Sequence, residues 1–435
     1  MRISTSQIYD LGTATLQQGQ QNMVKLQQQL ASNMRVVTPS DDPIAAASVL
    51  GIKQSQAVND QYKVNADGAK AALGSEETAL TDLTNLLQDV KTLAINAGNA
   101  TLNNADRLSI ATDLQGRYQE LMGIANRDDG NGQYLFSGFQ VGTRPFAEAS
   151  PGSVTYSGDA GQRLVQIGPA RAIPINDAGD AVFRAIRNGN GSFTAAPSAG
   201  NSGTGVNSSG TVTDPTKWNA AANSKDFTVK FYVDSATPPV TTYDIVDNVN
   251  NVSMLTGVAP AAGPYARTYT PGSAISLTTQ APPDTNATPF DYGASFSIDG
   301  APASGDSFTL TASANQDIFA TLNGLINTLR SGIGPTPASA ADYQNSLNGA
   351  LSGLDNSLNA VLTVRAGVGT RMKELDTAQT SSENLSLQYS KTLSGLQDLD
   401  YAKAISDLNL QQVYLQAAQQ SFIKVTSLNL FSMLS

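Results

Sequence analysis

Tyr401-Ala402-Lys403-Ala404-Ile405-Ser406-Asp407-Leu408-Asn409-Leu410-Gln411-Gln412-Val413-Tyr414-Leu415-Gln416-Ala417-Ala418-Gln419-Gln420-Ser421-Phe422 sets a large side chain at every seventh residue: Tyr401, Leu408, Leu415 and Phe422. Ala404, Ala418 and Val425 take the intervening slots. Such spacing lines up side chains on one seam of a long helix. The start of the chain carries the same pattern in Tyr9, Leu16, Met23, Leu30 and Val37. Seams at both ends predict that the termini pair with each other or with neighbouring copies. Both seams are thin, because Gly19 and Asn33 interrupt the first and Gln411 the last. A buried large apolar side chain contributes roughly 1.5–3 kcal/mol, against ~1–2 kcal/mol of backbone entropy per ordered residue. Residues 1–40 and 396–435 are therefore expected to order on assembly. The expected assembly interface is Leu16, Met23, Leu30, Tyr401, Leu408, Leu415 and Phe422.

Inward from the first seam comes Thr38-Pro39-Ser40-Asp41-Asp42-Pro43. Pro39 disfavours helix in the residue before it. Asp41 and Asp42 are capping residues, and Pro43 suits a first helical position, where a missing N–H is harmless. This hexapeptide reads as a helix break and restart. A second helix follows from Ile44 to Ala97, with Leu73, Leu80 and Leu87 in one heptad slot and Leu83 and Val90 in the other; Gly68 and Gly74 are candidate kinks. Asn103-Asn104-Ala105-Asp106 starts a third helix, with Ile110, Leu114, Leu121 and Ala125 facing inward, that folds back on the second. Asp128-Asp129-Gly130-Asn131-Gly132 resembles a calcium loop but sets Arg127 and Gly138 at ligand positions, so it reads as a turn.

Beyond Val141, alternation replaces heptads. Val154-Thr155-Tyr156 with Leu164-Val165-Gln166-Ile167 reads as one hairpin. Residues 227–233 with 241–246 read as a second, and 296–298 with 308–310 as a third. Low-complexity stretches at 195–210 and 281–288 are expected to be mobile. Trp218 reads as core of this region. Helix returns at Asp317 with Ile318, Leu322, Leu325 and Leu329, then again with Leu347, Leu354, Val361, Val368 and Leu375 at heptad spacing. Arg365 falls in that second seam and must reach solvent or a carboxylate.

The expected fold is α+β: long antiparallel helical coiled-coil arms from both termini and an inserted β-rich domain. The boundaries are an N-terminal assembly helix (1–40) pairing with a C-terminal one (396–435), two rod halves (41–145 and 316–395) and the insertion (146–315).

Composition narrows the function. The 435 residues carry a net charge of -10, against the basic face nucleic-acid binding needs. The absence of Cys and His removes thiolate zinc sites, Cys nucleophiles and Ser-His-Asp catalysis. No run reaches the ~20 apolar residues of a membrane helix, and the first residues lack a secretory signal. Asp234, Asp244, Asp247, Asp299 and Asp306 show no spacing that singles out a catalytic pair. No enzyme, metal, cofactor, nucleic-acid or membrane role is expected; an adhesive or decorative insertion stays open.

Four stretches carry a resemblance: Arg35-Val36-Val37-Thr38-Pro39-Ser40-Asp41-Asp42-Pro43-Ile44, Asn126 to Gly138, Gly300-Ala301-Pro302 with Gly305-Asp306-Ser307-Phe308 and Gln316-Asp317-Ile318-Phe319, and Asp400 to Phe422. In this order they resemble the bacterial flagellar hook-filament junction proteins, the hook-associated members of the flagellin-like family. The resemblance implies a structural subunit outside the cell, exported by the flagellar type III apparatus. It implies a ring of about eleven copies between the other junction protein and flagellin, with a chaperone holding the C-terminal helix before export. Asn33 stands where many relatives have glycine, and Asn tolerates positive φ. Flagellins usually carry a Lys-Asp-Asp-Ala-Ala run where this chain has Ser40-Asp41-Asp42-Pro43-Ile44, which favours the junction proteins over the alternative, a flagellin filament subunit.

Overall fold

The computed structural model describes residues 5–150, 152–220 and 223–431. Helix α1 runs Thr5–Ser32, α2 Pro43–Ala97 and α3 Asn104–Ala125. The first ends at Ser32, so Val37 lies outside it and is exposed. Asn33 follows with φ 54, the left-handed conformation that stops a helix. Helix α2 runs on through the candidate positions Gly68 and Gly74 as one helix. Helix α3 opens with a capping box in which Asn103 accepts from Asp106 N–H and Asp106 accepts from Asn103 N–H.

The chain splits into two compact units: residues 1–67, 166–171 and 375–435, and residues 68–165 and 172–374. In the second, α3 lies antiparallel to α2, tied by Arg117 to Asp89 (3.3 Å) and Arg127 to Asp82 (2.7 Å). The loop after it is a turn in which Asp129 Oδ1 accepts from the Asn131 and Gln133 N–H groups.

Strand β1 (Phe146–Ser150) pairs with β2 (Ser153–Tyr156), and β3 (Leu164–Gly168) with β4 (Arg171–Pro174). The expected hairpin between the 154–156 and 164–167 strands is therefore wrong: each strand takes a nearer partner on its other side. Next come β5 (Ile186–Arg187), β6 (Phe193–Pro197), β7 (Val206–Asn207) and β8 (Thr211–Val212). One turn of helix, α4 (Pro215–Trp218), precedes β9 (Asp226–Val233), β10 (Thr241–Asp247), β11 (Val252–Ser253) and β12 (Arg267–Thr268). Strands β13 (Ala274–Thr278), β14 (Asp291–Asp299), β15 (Ser307–Ala312) and β16 (Asn315–Gln316) complete the insertion.

The antiparallel order is β11-β10-β9-β15-β6 in one sheet, with β12 also on β10, and β13-β14-β7 in the other, with β8 also on β14. The β9–β10 hairpin matches expectation, from Phe227 opposite Asp247 to Val233 opposite Thr241. The third expected hairpin does not form. Residues 300–306 carry the chain from one sheet to the other, so Ile298 and Phe308 come from different sheets into one core. That core holds Phe193, Trp218, Phe227, Phe231, Phe296 and Leu310. Within the low-complexity stretches, 195–197 sits in β6, and the Asp284 side chain forms a fully buried ion pair with Arg267 (2.6 Å).

Helix α5 (Ile318–Ser331) starts at the Asp317 cap, and Ile318, Leu322, Leu325 and Leu329 are buried. Beneath the insertion Phe136, Phe146, Phe183 and Phe319 pack ring against ring, with centroids 5.1–6.0 Å apart. Helix α6 spans Pro337–Gln397 and α7 Tyr401–Phe431. Leu347, Leu354, Val361 and Val368 are buried, and Arg365 reaches Glu77 on α2 (2.6 Å). These are terminal helices around an inserted antiparallel β domain.

Candidate assembly surface

The first unit carries the terminal helices, and two chain breaks organise it. Between α1 and α2, Asp41 Oδ2 accepts from the Val37 and Thr38 N–H groups (3.1 and 2.9 Å), while Oδ1 meets Lys25 Nζ at 2.9 Å. Those donors, Thr38 N–H first, hold the Asp41 carboxyl down at about 2. Asp42 Oδ1 accepts from Ala45 N–H (3.0 Å) and caps α2, and its other oxygen takes Arg35 Nη1 (3.2 Å). The Ala45 bond is the main reason its carboxyl lies below the ordinary range. Pro43 is the first residue of α2, and Pro39 sits exposed in the turn.

The second break, between α6 and α7, lies beside the first. Arg35 N–H donates to Gln397 O (2.7 Å), Arg35 Nη2 to Leu396 O (2.9 Å) and Leu399 N–H to Asn33 O (3.3 Å). Met34 and Asp398 form an isolated bridge. Asp400 then accepts from Lys403 N–H (3.1 Å) and starts α7. The two breaks are one stitched joint.

From that joint α1 and α7 run antiparallel. Tyr401 Oη donates to Leu30 O (2.9 Å), Gln411 Nε2 to Gly19 O (3.3 Å), and Tyr9 meets the Phe422 ring at 5.3 Å. A Cβ on Gly12 would sit 2.6 Å from the Phe422 ring, and one on Gly19 3.1 Å from Leu415. The glycine counted as a weakness in the seam is thus the space into which Leu415 fits.

Among the described side chains, the half-covered positions on α1 are Gly12, Thr13, Leu16, Gly19, Met23, Leu26, Gln29 and Leu30; on α7 they are Leu408, Gln411, Leu415, Ala418, Phe422 and Thr426, with Ala404 buried. Val425 is exposed, and Thr426 holds the slot assigned to it. Leu16, Met23, Leu30, Leu408, Leu415 and Phe422 thus lie on the face shared by α1 and α7 within one chain, each half-buried. Tyr401 is largely exposed apart from its hydroxyl bond.

Large apolar side chains off the seam are uncovered as well. Leu11 is 73% exposed and Ile423 64%, and Val24, Ile405, Leu410, Val413 and Tyr414 are also exposed. On α7 these surround the helix at angles away from the seam, so it carries apolar side chains on several sides. A helix of that kind is covered on several sides. Heptad reasoning missed these residues because they fall outside the heptad slots; their signal is apolar side chains off the repeat.

Among the described residues no group of three acidic side chains could hold a metal ion, and no helix is long and apolar enough to cross a membrane. Asp244 accepts from Ser253 Oγ (2.6 Å) and Asp306 from the Ser202, Gly203 and Ala303 N–H groups, so both serve the fold.

Residues 3–141 match the bacterial flagellin N-terminal helical region, and residues 351–434 the C-terminal helical region. The chain is 28% identical to flagellar hook-associated protein 3 of Salmonella typhimurium over 100% of its own length and 99% of that protein. The crystal structure of hook-associated protein 3 from Legionella pneumophila covers 79% of this chain and 98% of its own, at 29% identity and a TM-score of 0.69. A flagellin of Clostridium tyrobutyricum is 30% identical over only 28% of this chain and 32% of its own length.

Proposed function

Since the chain belongs to the flagellin-like family of flagellar hook-associated proteins, whose members are structural and not enzymes, we propose that it joins the hook to the filament of a bacterial flagellum. The carrying observation is the set of apolar side chains left uncovered around α7 and on α1. Neighbouring copies, the other junction protein on one side and flagellin on the other would cover them. A closed ring of about eleven copies would bring such surfaces together in head-to-tail contacts.

Assembly on this reading is coupled to folding. The α1–α7 seam alone is half-buried, so neighbours complete the ordering of residues 1–40 and 396–435. The type III route and a chaperone on α7 complete the proposal: apolar sides open to water need cover before assembly. Full-length similarity to a hook-associated protein, and Pro39 and Pro43 at the break, favour this over a filament subunit.

Immunogold electron microscopy of intact flagella, with antibody against residues 146–315, tests it. Label confined to the hook-filament boundary supports the junction role. Label along the filament makes the protein a flagellin, and unlabelled flagella overturn the reading. Circular dichroism of a chain trimmed to residues 41–395 tests the coupling. Loss of the signal of two stable helices on trimming means the ends fold unaided.

A further inference from the structure

Glu76 lies on α2 at 1% exposure, in a place the assembly reading does not use. Its Oε1 accepts from Asp177 N–H (2.9 Å), while Oε2 is buried without a hydrogen-bond partner. Asp177 belongs to the strap of residues 175–179 that leads from the β3–β4 hairpin into the buried turn at Val182 and Phe183. The strap is held by Ile175 N–H to Arg163 O (2.9 Å) and Gly179 N–H to Phe136 O (2.9 Å). The Asp177 carboxylate takes Gln162 Nε2 (2.9 Å) and pairs with Arg371 of α6, which also donates to Pro174 O (3.2 Å). A crevice of about 310 Å³ runs beside Glu76, lined also by Asp129, Asn131, Gln133 and Arg163. The charged groups around Glu76 are thus Asp177 on the strap, Arg371 on α6, Arg163 before β3 and Asp129 after α3; Glu77 on α2 itself is engaged by Arg365.

We propose that Glu76 and Asp177 form a proton-held latch: the neutral Glu76 acid fastens the strap to α2, and losing its proton under alkaline conditions loosens it. Glu76 Oε1 already takes the Asp177 N–H, so the acid form can offer the hydrogen on its orphaned Oε2 to the neighbouring Asp177 carboxylate. The ionised form places a second negative charge beside Asp177, with Arg371 already engaged and no donor on Oε2. An ionised carboxylate buried in that way is strongly disfavoured. Burial first, and the Asp177 charge second, push Glu76 up to about 8.

The sign follows from proton counting. Between the ordinary value of 4.5 and about 8 the folded chain holds a proton that the unfolded chain has lost. Stability therefore falls as pH rises through that window and levels off above it.

The test is hydrogen exchange on the full chain between pH 6 and 9.5, read as protection of the strap amides after correction for intrinsic exchange. Wild type is expected to lose protection at Asp177 N–H about tenfold per pH unit from pH 6 toward 7.5 and to level off above pH 8, following the linkage. Glu76→Gln, whose amide donates as the neutral acid does, is expected to stay flat. Asp177→Asn removes the like charge and is expected to move the levelling-off to lower pH. The same profile in wild type and Glu76→Gln, a flat wild-type profile, or an unmoved levelling-off in Asp177→Asn overturns the latch.

Discussion

The β insertion and the terminal helix pair solve the burial problem in opposite ways. In the insertion Phe193, Phe227, Val229, Ile245, Ile298 and Phe308 are wholly removed from water, and one salt bridge is buried with them. In the α1–α7 pair the seam is half-covered, and the buried apolar residue is the small Ala404. At ~25 cal/mol per Å² of apolar surface, the first arrangement gains more from burial than the second. A domain that carries its own core can stay outside an assembly. A helix pair that leaves Leu11, Leu410, Val413 and Ile423 in water would gain from being packed upon.

The comparison can be broken at its strongest point first. Arg267→Met leaves Asp284 buried without its partner and is expected to destabilise the insertion by about 3–5 kcal/mol, the cost of an uncompensated buried charge. Denaturant unfolding followed by Trp218 fluorescence reads it, since Trp218 lies in that core. A loss under ~1 kcal/mol would mean that the core tolerates the lone charge and is less closed than described.

Gly12→Val comes next, with an expected cost of about 1–3 kcal/mol from overpacking against Phe422. Hydrogen exchange should show faster opening of α1 and α7 and an unchanged insertion. Slower opening would mean that the Phe422 ring swings aside and the seam is loose.

Ile423→Ser should shift the unfolding midpoint by no more than the ~0.5 kcal/mol typical of surface positions, yet reduce incorporation into flagella when the variant replaces the native chain. Equal incorporation would show that the exposed apolar side chains of α7 are not an interface.

The smallest effect is at the joint. The folded carboxyl of Asp41 is held at about 2, below its ordinary 3.8. Its contribution is present above the ordinary value and is lost as pH falls from about 4 toward 2. Asp41→Asn should flatten that acid limb of an unfolding profile, because it gives up at neutral pH the small contribution that the wild type loses in acid. An identical acid limb in both chains would mean that the turn donors do not hold the charge.

Much of this was legible in the residues. The heptads of α6 name its buried face from Leu347 to Val368, Asn103 and Asp317 mark helix starts, and Pro43 marks the restart after the break. Asn33 does adopt the positive φ its position suggests. These features depend on neighbours three to seven residues away, so one stretch of chain suffices to set them. Strand partners are another matter. The stretches 154–156, 164–167, 296–298 and 308–310 read as strands, but alternation says only that a strand has an inside. Which edge it pairs with depends on sheets assembled from residues more than a hundred positions apart.

The assembly surface shows the same limit. A heptad announces a seam without saying who occupies the other side, and here Leu16, Met23 and Leu30 share their face with α7 of the same chain. Only once that pairing is drawn does it become visible that Leu410, Val413 and Ile423 are left over. Glu76 gave no sign at all. It sits in Gly74-Ser75-Glu76-Glu77 like any solvated helix carboxylate, and its burial beneath a strap a hundred residues later is a long-range event. Local periodicity and capping chemistry determined the helices, their breaks and the presence of an inserted β region from the sequence by itself. Strand pairing, the closed faces and the environment of each buried charge were decided only by tertiary structure, because each depends on the distant segment that displaces the water.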